Sequence, residues 1–369
     1  MAPVIRCTQC QQPYPEQGVP FLCPACGGVY DYDGPFAWTP ECMDHSAPGL
    51  WRHRHSFGLP ACAPVVSLGE GDTPLIPVNS RAGPDGEAVW LKLDSLNPTG
   101  SYKDRGSAVL LSHLLARGAA AAVEDSSGNA GASFAAYAAR AGLRARVFVP
   151  ESAAGPKRSQ IEAYGAELVR VPGPRSAAAE AVWQEAKRGS VYASHAYLPF
   201  GLAGIATLAY ELWQQLGRAP GSVIAPVGHG GLLLGIARGF QTLERAGLIT
   251  ARPYLVGVQA AACAPVWLGF TAGAAAMQSA AEGPTVAEGV RVRRPVRAAA
   301  LLREILPGQG TFVAVAEERI LPAYRDLARQ GLHVEPTSAL PWCAYQDLAG
   351  SLPTPVVLVM TGAGLKYGS

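Results

Sequence analysis

From about residue 64 onward, the apolar positions of the chain alternate between two kinds of segment. Short runs rich in β-branched residues predict buried strands, at 147–149 (VFV), 223–227 (VIAPV), 255–258 (LVGV) and 356–360 (VVLVM). Longer stretches rich in alanine and leucine lie between them and predict helices, at 130–141, 176–188, 202–217 and 232–246. Strands that alternate with helices of this length indicate βα units around a parallel sheet. The pattern therefore predicts an α/β body.

The first 64 residues follow neither pattern. They include two CxxC pairs separated by twelve residues, formed by Cys7, Cys10, Cys23 and Cys26. Two such pairs can close a tetrahedral site of four thiolates. We therefore predict a structural zinc ribbon at 1–32, with a lost or partly oxidised metal site as the alternative. Residues 33–64 are rich in proline, histidine and tryptophan, and we predict a linker that packs on the body.

Composition and charge exclude several classes of partner. The chain has 369 residues, 49% of them apolar, which is enough for a sizeable core and more than one lobe. A net charge of +2 gives no field that would attract nucleic acid or an anionic membrane. Residues 1–50 hold one arginine against five acidic residues, the opposite of a ribbon that reads nucleic acid.

The apolar runs do not suggest a membrane protein. None approaches the roughly 18 residues that a spanning helix needs, and the first residues lack the apolar stretch of a secretion signal. We expect a soluble, cytoplasmic protein with neither a membrane nor a nucleic acid as partner.

Three polar segments lie at the ends of predicted elements. Lys103 follows the turn 97–102 (NPTGSY) and precedes an apolar helix, where a shielded lysine can form a Schiff base. Segment 126–131 (SSGNAG) opens a helix, and either caps it or presents hydroxyl and amide groups to a polar ligand. Segment 228–231 (GHGG) leads from a strand into a helix, where backbone N–H groups surround a phosphate or form an ordinary tight turn.

A nucleophilic lysine, a polar loop and a phosphate-binding turn together are what pyridoxal phosphate (PLP) requires. The chain resembles the fold type II PLP enzymes, and most of all the threonine synthase family, over about residues 65–369. The matching segments are LGEGDTPL (68–75), NPTGSYKDRG (97–106), DSSGNAGASFAAYAARAG (125–142), GPKRSQIEAYGAEL (155–168), APVGHGGLLLGI (225–236), EPTSAL (335–340) and MTGAGLK (360–366).

The resemblance implies an architecture and an activity. The α/β body at 65–369 would have two open twisted-sheet lobes, with a small lobe at roughly 105–210 inserted in the large one and PLP between them. A ribbon of four cysteines precedes this body in some members of the family. The protein would be a PLP-dependent lyase that acts on a small amino acid, and a homodimer.

The resemblance also implies residue roles in cofactor binding. Lys103 would hold PLP as a Schiff base and then shuttle protons at the substrate. Asn129 would hydrogen-bond the ring hydroxyl oxygen, and Thr361 would face the pyridine nitrogen. The backbone that would hold the cofactor phosphate is that of Gly228, His229, Gly230, Gly231 and Leu232.

The substrate side of the resemblance is incomplete. The residues expected near the substrate carboxylate are Ser126, Ser127 and Gly128. Many threonine synthases bind the phosphate of O-phosphohomoserine with a stretch like Asn-Ser-x-Asn-Pro-Tyr-Arg. In this chain His195 and Ala196 stand at the Asn-Ser pair and Gly201 at the arginine, so a bidentate phosphate contact is lost. Lys157 or Arg158 could replace the lost charge.

Two other functions therefore remain open. A serine or threonine ammonia-lyase, or another β-eliminating enzyme, would need only carboxylate and amine pockets. A PLP-binding protein with a regulatory or carrier role is the alternative outside the enzymes, since a fold does not fix a function. The presence of Lys103, Asn129 and Thr361 argues against that alternative.

Overall fold

The computed structural model describes residues 4–78, 89–152, 155–306 and 308–367, so the outermost residues of the predicted ribbon and body lie outside the described part. The chain divides into two compact units. The first unit contains Met1–Gly71 and Asn97–Ile205, with Gly368–Ser369, and the second contains Asp72–Leu96 and Ala206–Tyr367.

The described residues form strands and helices in alternation through most of the chain. The strands are β1 (Val4–Cys7), β2 (Tyr30–Asp33), β3 (Leu75–Pro77), β4 (Val89–Lys92), β5 (Ala121–Glu124), β6 (Arg144–Pro150), β7 (Glu167–Val171), β8 (Ser222–Pro226), β9 (Tyr254–Ala260), β10 (Gly310–Val315) and β11 (Val356–Val359). The helices are α1 (Lys103–Ala116), α2 (Asn129–Arg140), α3 (Pro156–Ala163), α4 (Arg175–Lys187), α5 (Gly201–Leu216), α6 (Gly231–Arg245), α7 (Pro265–Ala272), α8 (Ala298–Glu304), α9 (Glu317–Arg329) and α10 (Pro336–Leu348). The strands and helices predicted from the apolar pattern are confirmed, with ends that differ by a few residues.

The first unit contains a parallel three-stranded sheet with the order β5-β6-β7. One face of β5 packs through Val123 against Phe148, Val182 and Tyr192, which belong to one apolar cluster. The N-terminal β1–β2 hairpin is antiparallel and lies in the same unit. Its side chain Phe21 packs edge-on against Tyr192, with ring centroids 5.2 Å apart. The four-cysteine region therefore shares the core of this unit.

The second unit contains a six-stranded sheet with the order β10-β9-β8-β11-β4-β3. Five of these strands run parallel, and β3 pairs antiparallel with β4 at the edge. Pro77, the last residue of β3, suits an edge strand, because proline has no backbone N–H to donate to a neighbouring strand. The apolar pattern did not predict β3 and β4, which are only three and four residues long. Buried side chains such as Ile224, Val256 and Leu358 form the core of this unit.

The segment predicted as a linker contains a 3-10 helix at Gly49–Phe57, with Leu50, Trp51 and Phe57 buried. A buried carboxylate, that of Glu70, ties this segment to α2. Glu70 accepts hydrogen bonds from Trp51 Nε1 at 2.7 Å and from the hydroxyl of Tyr137 on α2 at 2.6 Å. Burial is the main reason that the pKa of Tyr137 is raised, so its hydroxyl stays protonated and donates. Among the described residues, no helix has both the length and the apolar character needed to cross a membrane.

We expect Glu70→Ala to lower the free energy of unfolding by about 3 kcal/mol, because it leaves the buried donors of Trp51 and Tyr137 without an acceptor. Thermal denaturation followed by circular dichroism measures the effect as a fall in the unfolding midpoint. Glu151→Ala, at an exposed position, is the matched control and leaves the midpoint in place. Equal midpoints for the two variants would show that the Glu70 hydrogen bonds contribute no stability.

Candidate functional site

Lys103 is the first residue of α1 and is half-buried. The turn before it is closed by a hydrogen bond of 2.7 Å from the backbone N–H of Gly100 to the carbonyl of Asn97, and Gly100 adopts a left-handed conformation with φ +82°. The ammonium of Lys103 hydrogen-bonds the hydroxyl of Tyr102 and lies over the Tyr102 ring, 4.3 Å from its centroid. The lysine predicted from the sequence is therefore held at a helix entrance, partly shielded from water.

Asp104 fixes the position of this turn. Its buried carboxylate accepts hydrogen bonds from the backbone N–H of Thr99 at 2.7 Å and from the Thr99 hydroxyl at 2.6 Å. A third hydrogen bond, also 2.6 Å, comes from the hydroxyl of Ser133 on α2. Since Ser133 lies in the first turns of α2, the N-terminal ends of α1 and α2 are held side by side.

The loop at 126–128 leads into α2 and lies beside the start of α1 for this reason. The carbonyl of Ser126 folds back over the helix so closely that a Cβ at position 131 would meet it at 1.8 Å, so glycine is required there. Ser127, Gly128 and Asn129 remain partly exposed, as does Lys103. The first unit thus brings together Lys103, the segment 126–128 and Asn129, which the sequence placed in one site.

In the second unit, the glycine turn at 228–231 lies between β8 and α6. Gly230 has φ +93°, and a Cβ at Gly228 would lie 2.7 Å from the carbonyl oxygen of Gly289. Small residues therefore keep backbone N–H groups open at the N-terminus of α6, which is the arrangement that binds a phosphate. The carbonyl of His229 accepts a hydrogen bond of 3.0 Å from the N–H of Arg297 and is thus held by the start of α8.

Thr361 lies just after β11, and β11 is the direct neighbour of β8. The carboxyl ends of parallel strands meet at one edge of a sheet, so Thr361 and the glycine turn lie at the same edge. The Thr361 hydroxyl is 2.9 Å from the hydroxyl of Ser338 on α10, and Ser338 also accepts the N–H groups of Thr361 and Gly362 at 2.9 and 3.0 Å. The sequence did not single out Ser338, although it lies in the matched segment EPTSAL.

The stretch that corresponds to the family's phosphate-binding pattern, residues 195–201, leads into the start of α5. Gly201 begins α5, and a Cβ at this position would lie 3.1 Å from the carbonyl oxygen of Gly106 on α1. Gly204 is tighter still, because its Cβ would meet the carbonyl oxygen of Arg105 at 2.0 Å. The starts of α1 and α5 therefore pack backbone to backbone. A larger residue at position 201 would require the Gly106 backbone to shift by a few tenths of an ångström.

Two acidic residues that the sequence analysis left aside lie beside the predicted substrate loop. Glu124 ends β5 and is fully buried, and Asp125 follows it. Glu124 Oε1 is 3.4 Å from Nδ1 of His195, the residue noted as a departure from the family pattern. A glutamate at the end of the apolar strand sequence AAVE is the sequence signal that could have drawn attention to Glu124.

The four cysteines predicted to bind metal lie together. Their Sγ atoms are all within 4.8 Å of one another, and they form the one cluster of potential metal ligands among the described residues. Two pairs are closest, Cys7 with Cys26 at 3.4 Å and Cys10 with Cys23 at 3.6 Å. The other four cysteines, among them Cys62, are not part of a disulfide.

Known proteins share both the sequence and the fold. The family model described as pyridoxal-phosphate dependent enzyme matches residues 66–362. A threonine synthase from Methanocaldococcus jannaschii is 33% identical over 98% of this chain and 92% of its own length. A threonine synthase from Synechocystis is 36% identical over 89% of this chain and 86% of its own.

Solved structures agree. A threonine deaminase from T.th. superposes with a TM-score of 0.66 and 29% identity, over 80% of this chain and 94% of its own. An O-acetylserine dependent cystathionine beta-synthase from Helicobacter pylori gives a TM-score of 0.67 and 26% identity, over the same shares of the two chains. The chain belongs to the threonine synthase family of fold type II pyridoxal-phosphate-dependent enzymes and is a PLP-dependent lyase.

Proposed function

We propose that this enzyme is a threonine synthase, which converts O-phosphohomoserine and water into threonine and phosphate. The observation that carries the proposal is the match to threonine synthases along 98% of the chain, which includes the four-cysteine region as well as the PLP-binding body. The polar groups at the starts of α1 and α2 are consistent with binding a small amino acid.

The first unit supplies groups that fit the reactive end of PLP and the substrate. Lys103 would bind the cofactor covalently through its amine and, once released, would carry protons at the substrate. Asn129 would hydrogen-bond the ring hydroxyl oxygen. Ser126, Ser127 and Gly128 would bind the substrate carboxylate, since the N-terminus of α2 favours an anion. When bound, PLP supplies an electron sink for the bonds that break at the substrate.

The second unit supplies groups that fit the phosphate and the ring nitrogen. The backbone from Gly228 to Leu232 opens α6 with a positive helix end and would hold the cofactor phosphate. The Thr361 hydroxyl, positioned by Ser338, would face the pyridine nitrogen. A neutral hydroxyl leaves that nitrogen largely unprotonated, which favours elimination and replacement over transamination.

One observation favours a second candidate, a serine or threonine ammonia-lyase. Gly201, packed closely on Gly106, stands at the position where family members place an arginine for the substrate phosphate. Without that bidentate contact the site has less to hold a second phosphate. Lys157 and Arg158 lie in the first turn of α3 and are both half-buried, so they are candidates for the replacement charge.

A product assay on purified, PLP-loaded enzyme tests the proposed reaction. We expect O-phosphohomoserine to give threonine and an equal amount of phosphate, measured by amino-acid analysis and phosphate detection. L-Threonine and L-serine are offered in parallel. Release of a 2-oxo acid and ammonia from these, with O-phosphohomoserine inert, would replace the threonine synthase proposal with the lyase.

Lys103→Ala should abolish turnover and the visible absorption that PLP acquires when it binds an enzyme lysine. Borohydride reduction followed by peptide mass spectrometry should place the reduced cofactor on Lys103 in the wild type and on no residue of the variant. Lys187→Ala, at an exposed position on α4, is the control and keeps both absorption and adduct. A spectrum unchanged by Lys103→Ala would refute the assignment of this lysine.

We further propose that Cys7, Cys10, Cys23 and Cys26 bind a structural zinc ion. Four thiolates around Zn²⁺ at about 2.3 Å have sulfur atoms roughly 3.8 Å apart, which the observed spacing allows. Gly28 fits this cluster closely, because a Cβ there would lie 2.7 Å from Cys7 Sγ. The net negative charge of this region supports a structural role over nucleic-acid binding.

Metal analysis of freshly purified enzyme should find about one equivalent of zinc, as expected for a closed four-thiolate site. Replacing Cys7 and Cys10 by serine should release the zinc and lower the unfolding midpoint, with a smaller fractional loss in kcat, because the metal holds the ribbon rather than the reacting groups. Cys62→Ser, at an exposed position outside the cluster, is the control. Zinc-free wild type, or a double variant as stable as the wild type, would contradict the structural site.

A further inference from the structure

Glu124 is the last residue of β5, and its side chain is on the opposite face of the strand from Val123. Val123 packs in the apolar cluster with Phe148 and Val182. Only 1% of the Glu124 surface is exposed. The residue lies at the carboxyl end of the strand, three positions before Ser127, where the predicted substrate loop becomes partly exposed. An ionisable side chain is therefore buried directly beneath the segment that would meet the substrate.

The surroundings of Glu124 stabilise a carboxylate only in part. Its Oε1 is 3.4 Å from Nδ1 of His195, and its Oε2 is buried with no hydrogen-bond partner in the described part of the chain. The neighbouring Asp125 differs, since it accepts a hydrogen bond of 2.8 Å from Tyr192 and has Arg175 at 4.0 Å. A buried carboxylate with an unsatisfied oxygen is costly, and protonation removes that cost.

Electrostatics lead to the same protonation state. Burial raises the pKa of Glu124 well above its ordinary value, and the charge of Asp125 raises it further. The Arg175 guanidinium, a hydrogen bond from the Asp125 backbone and the Lys103 ammonium oppose this effect without cancelling it. The shift favours the protonated form of Glu124, which is within electrostatic reach of Lys103.

The position of His195 follows from strand pairing. Residues 191–193 run alongside β5, with the N–H of Val123 donating to Val191 at 2.8 Å and the N–H of Ala193 donating to Val123 at 2.9 Å. The chain then leaves the sheet at the same edge as Glu124, which brings the imidazole of His195 over the acid. His195 keeps 29% of its side chain exposed, so it separates Glu124 from solvent on one side.

We propose that Glu124, oriented by His195, is a proton-transfer residue of this lyase that protonates the leaving group of the substrate and then accepts a proton from the incoming water. The proposal rests on the lyase chemistry of the family and applies to either substrate class, phosphate ester or hydroxy amino acid. It assigns a function to a buried acid near Lys103 that takes no part in the proposed cofactor and substrate contacts.

In the replacement reaction the proton balance closes on Glu124, and in simple elimination solvent water restores the proton that Glu124 gives up. As the carbon–oxygen bond to the leaving group breaks, its electron pair goes to that oxygen, and the proton of the Glu124 carboxylic acid moves to the same oxygen. Phosphate then leaves as its hydrogen form, or hydroxide as water. When water adds to the substrate carbon in the replacement reaction, its oxygen forms the new bond and its proton returns to Glu124. A raised pKa suits both steps, because it favours a carboxyl that holds its proton until the leaving group takes it and that then accepts one from water.

The deciding experiment compares leaving groups that need a proton with one that does not. Glu124→Gln should lower kcat by about 10²- to 10⁴-fold for the oxygen leaving group of O-phosphohomoserine or L-serine. The chloride analogues, 2-amino-4-chlorobutanoate and β-chloroalanine respectively, should release chloride in a single turnover at rates close to the wild type, because chloride leaves unprotonated and before any water adds. Glu151→Gln, at an exposed position, is the matched control and should affect neither leaving group.

A smaller effect is expected for His195→Gln, which loses the imidazole that orients the acid but keeps the acid. Its loss should also be larger for the oxygen leaving group than for chloride. Equal losses with both leaving groups in Glu124→Gln would overturn proton transfer, since a structural defect does not distinguish them.

A second readout needs no turnover. The infrared spectrum of the cofactor-free protein at neutral pH should contain the carbonyl stretch of a protonated carboxylic acid that Glu124→Gln removes and Glu151→Gln retains. The absence of such a band would overturn the proposal. If the wild type processes neither the oxygen substrates nor their chloride analogues, the proposed function fails, and the infrared band still decides whether Glu124 is the neutral acid that we infer.

Stability against pH gives an independent check. The groups around Glu124 are Asp125 on its own segment, His195 and Tyr192 on the neighbouring segment, Lys103 on α1 and Arg175 on α4. An acid with a raised folded-state pKa costs no stability below the unfolded pKa of about 4.3, and it costs increasing stability as the pH rises from there towards the folded value. The unfolding midpoint of Glu124→Gln should therefore rise relative to the wild type between about pH 4 and neutral pH. A constant difference over this range would overturn the neutral acid.

Discussion

The carboxylate of Asp104 is the interaction on which the arrangement of the first unit depends. It accepts three hydrogen bonds, two from Thr99 in the turn before Lys103 and one from Ser133 on α2. Because the carboxylate is buried, these bonds are short and have no competition from water. They fix the backbone of the residue next to Lys103 relative to the start of α2, while the lysine ammonium itself contacts only the neighbouring Tyr102 among the hydrogen bonds described above. A lysine that must bind a cofactor and then move protons needs this combination.

Close backbone approach is the second constraint, and it determines which groups can meet the substrate. Gly131 and Gly204 allow carbonyl oxygens where any other residue would place a Cβ, and Gly201 lies against α1. The same packing aligns the starts of α1, α2 and α5 and leaves little room for a larger residue at position 201. The polar groups beside the loop include a partly exposed imidazole and a buried acid, His195 and Glu124. Steric fit between helices thus shapes the surroundings of the loop.

The sequence predicted the parts of this molecule that depend on local pattern. Short runs of β-branched residues predicted β6, β8 and β9, and a longer stretch rich in leucine predicted α6. The spacing of the cysteines predicted the cluster that the structure contains. What it missed depends on contacts between distant segments. The edge strand β3 is too short to show a period, and the support of Thr361 by Ser338 joins residues 23 positions apart. The pairing of Glu124 with His195 spans 71 positions and is visible only once residues 191–193 are known to run along β5.

The N-terminal four-cysteine region packs against the segment that carries His195. Phe21 packs edge-on against Tyr192 and Tyr197, at 5.2 and 5.6 Å between ring centroids, and these two residues flank His195 along the chain. Arg117, at the end of α1, reaches the carbonyl oxygens of Pro15 and Glu16 within 3.0 Å. The ribbon therefore contacts both the segment that carries His195 and the far end of the helix that begins with Lys103. A metal held by the four cysteines would therefore stabilise these two segments through the packing of Phe21 and the hydrogen bonds of Arg117.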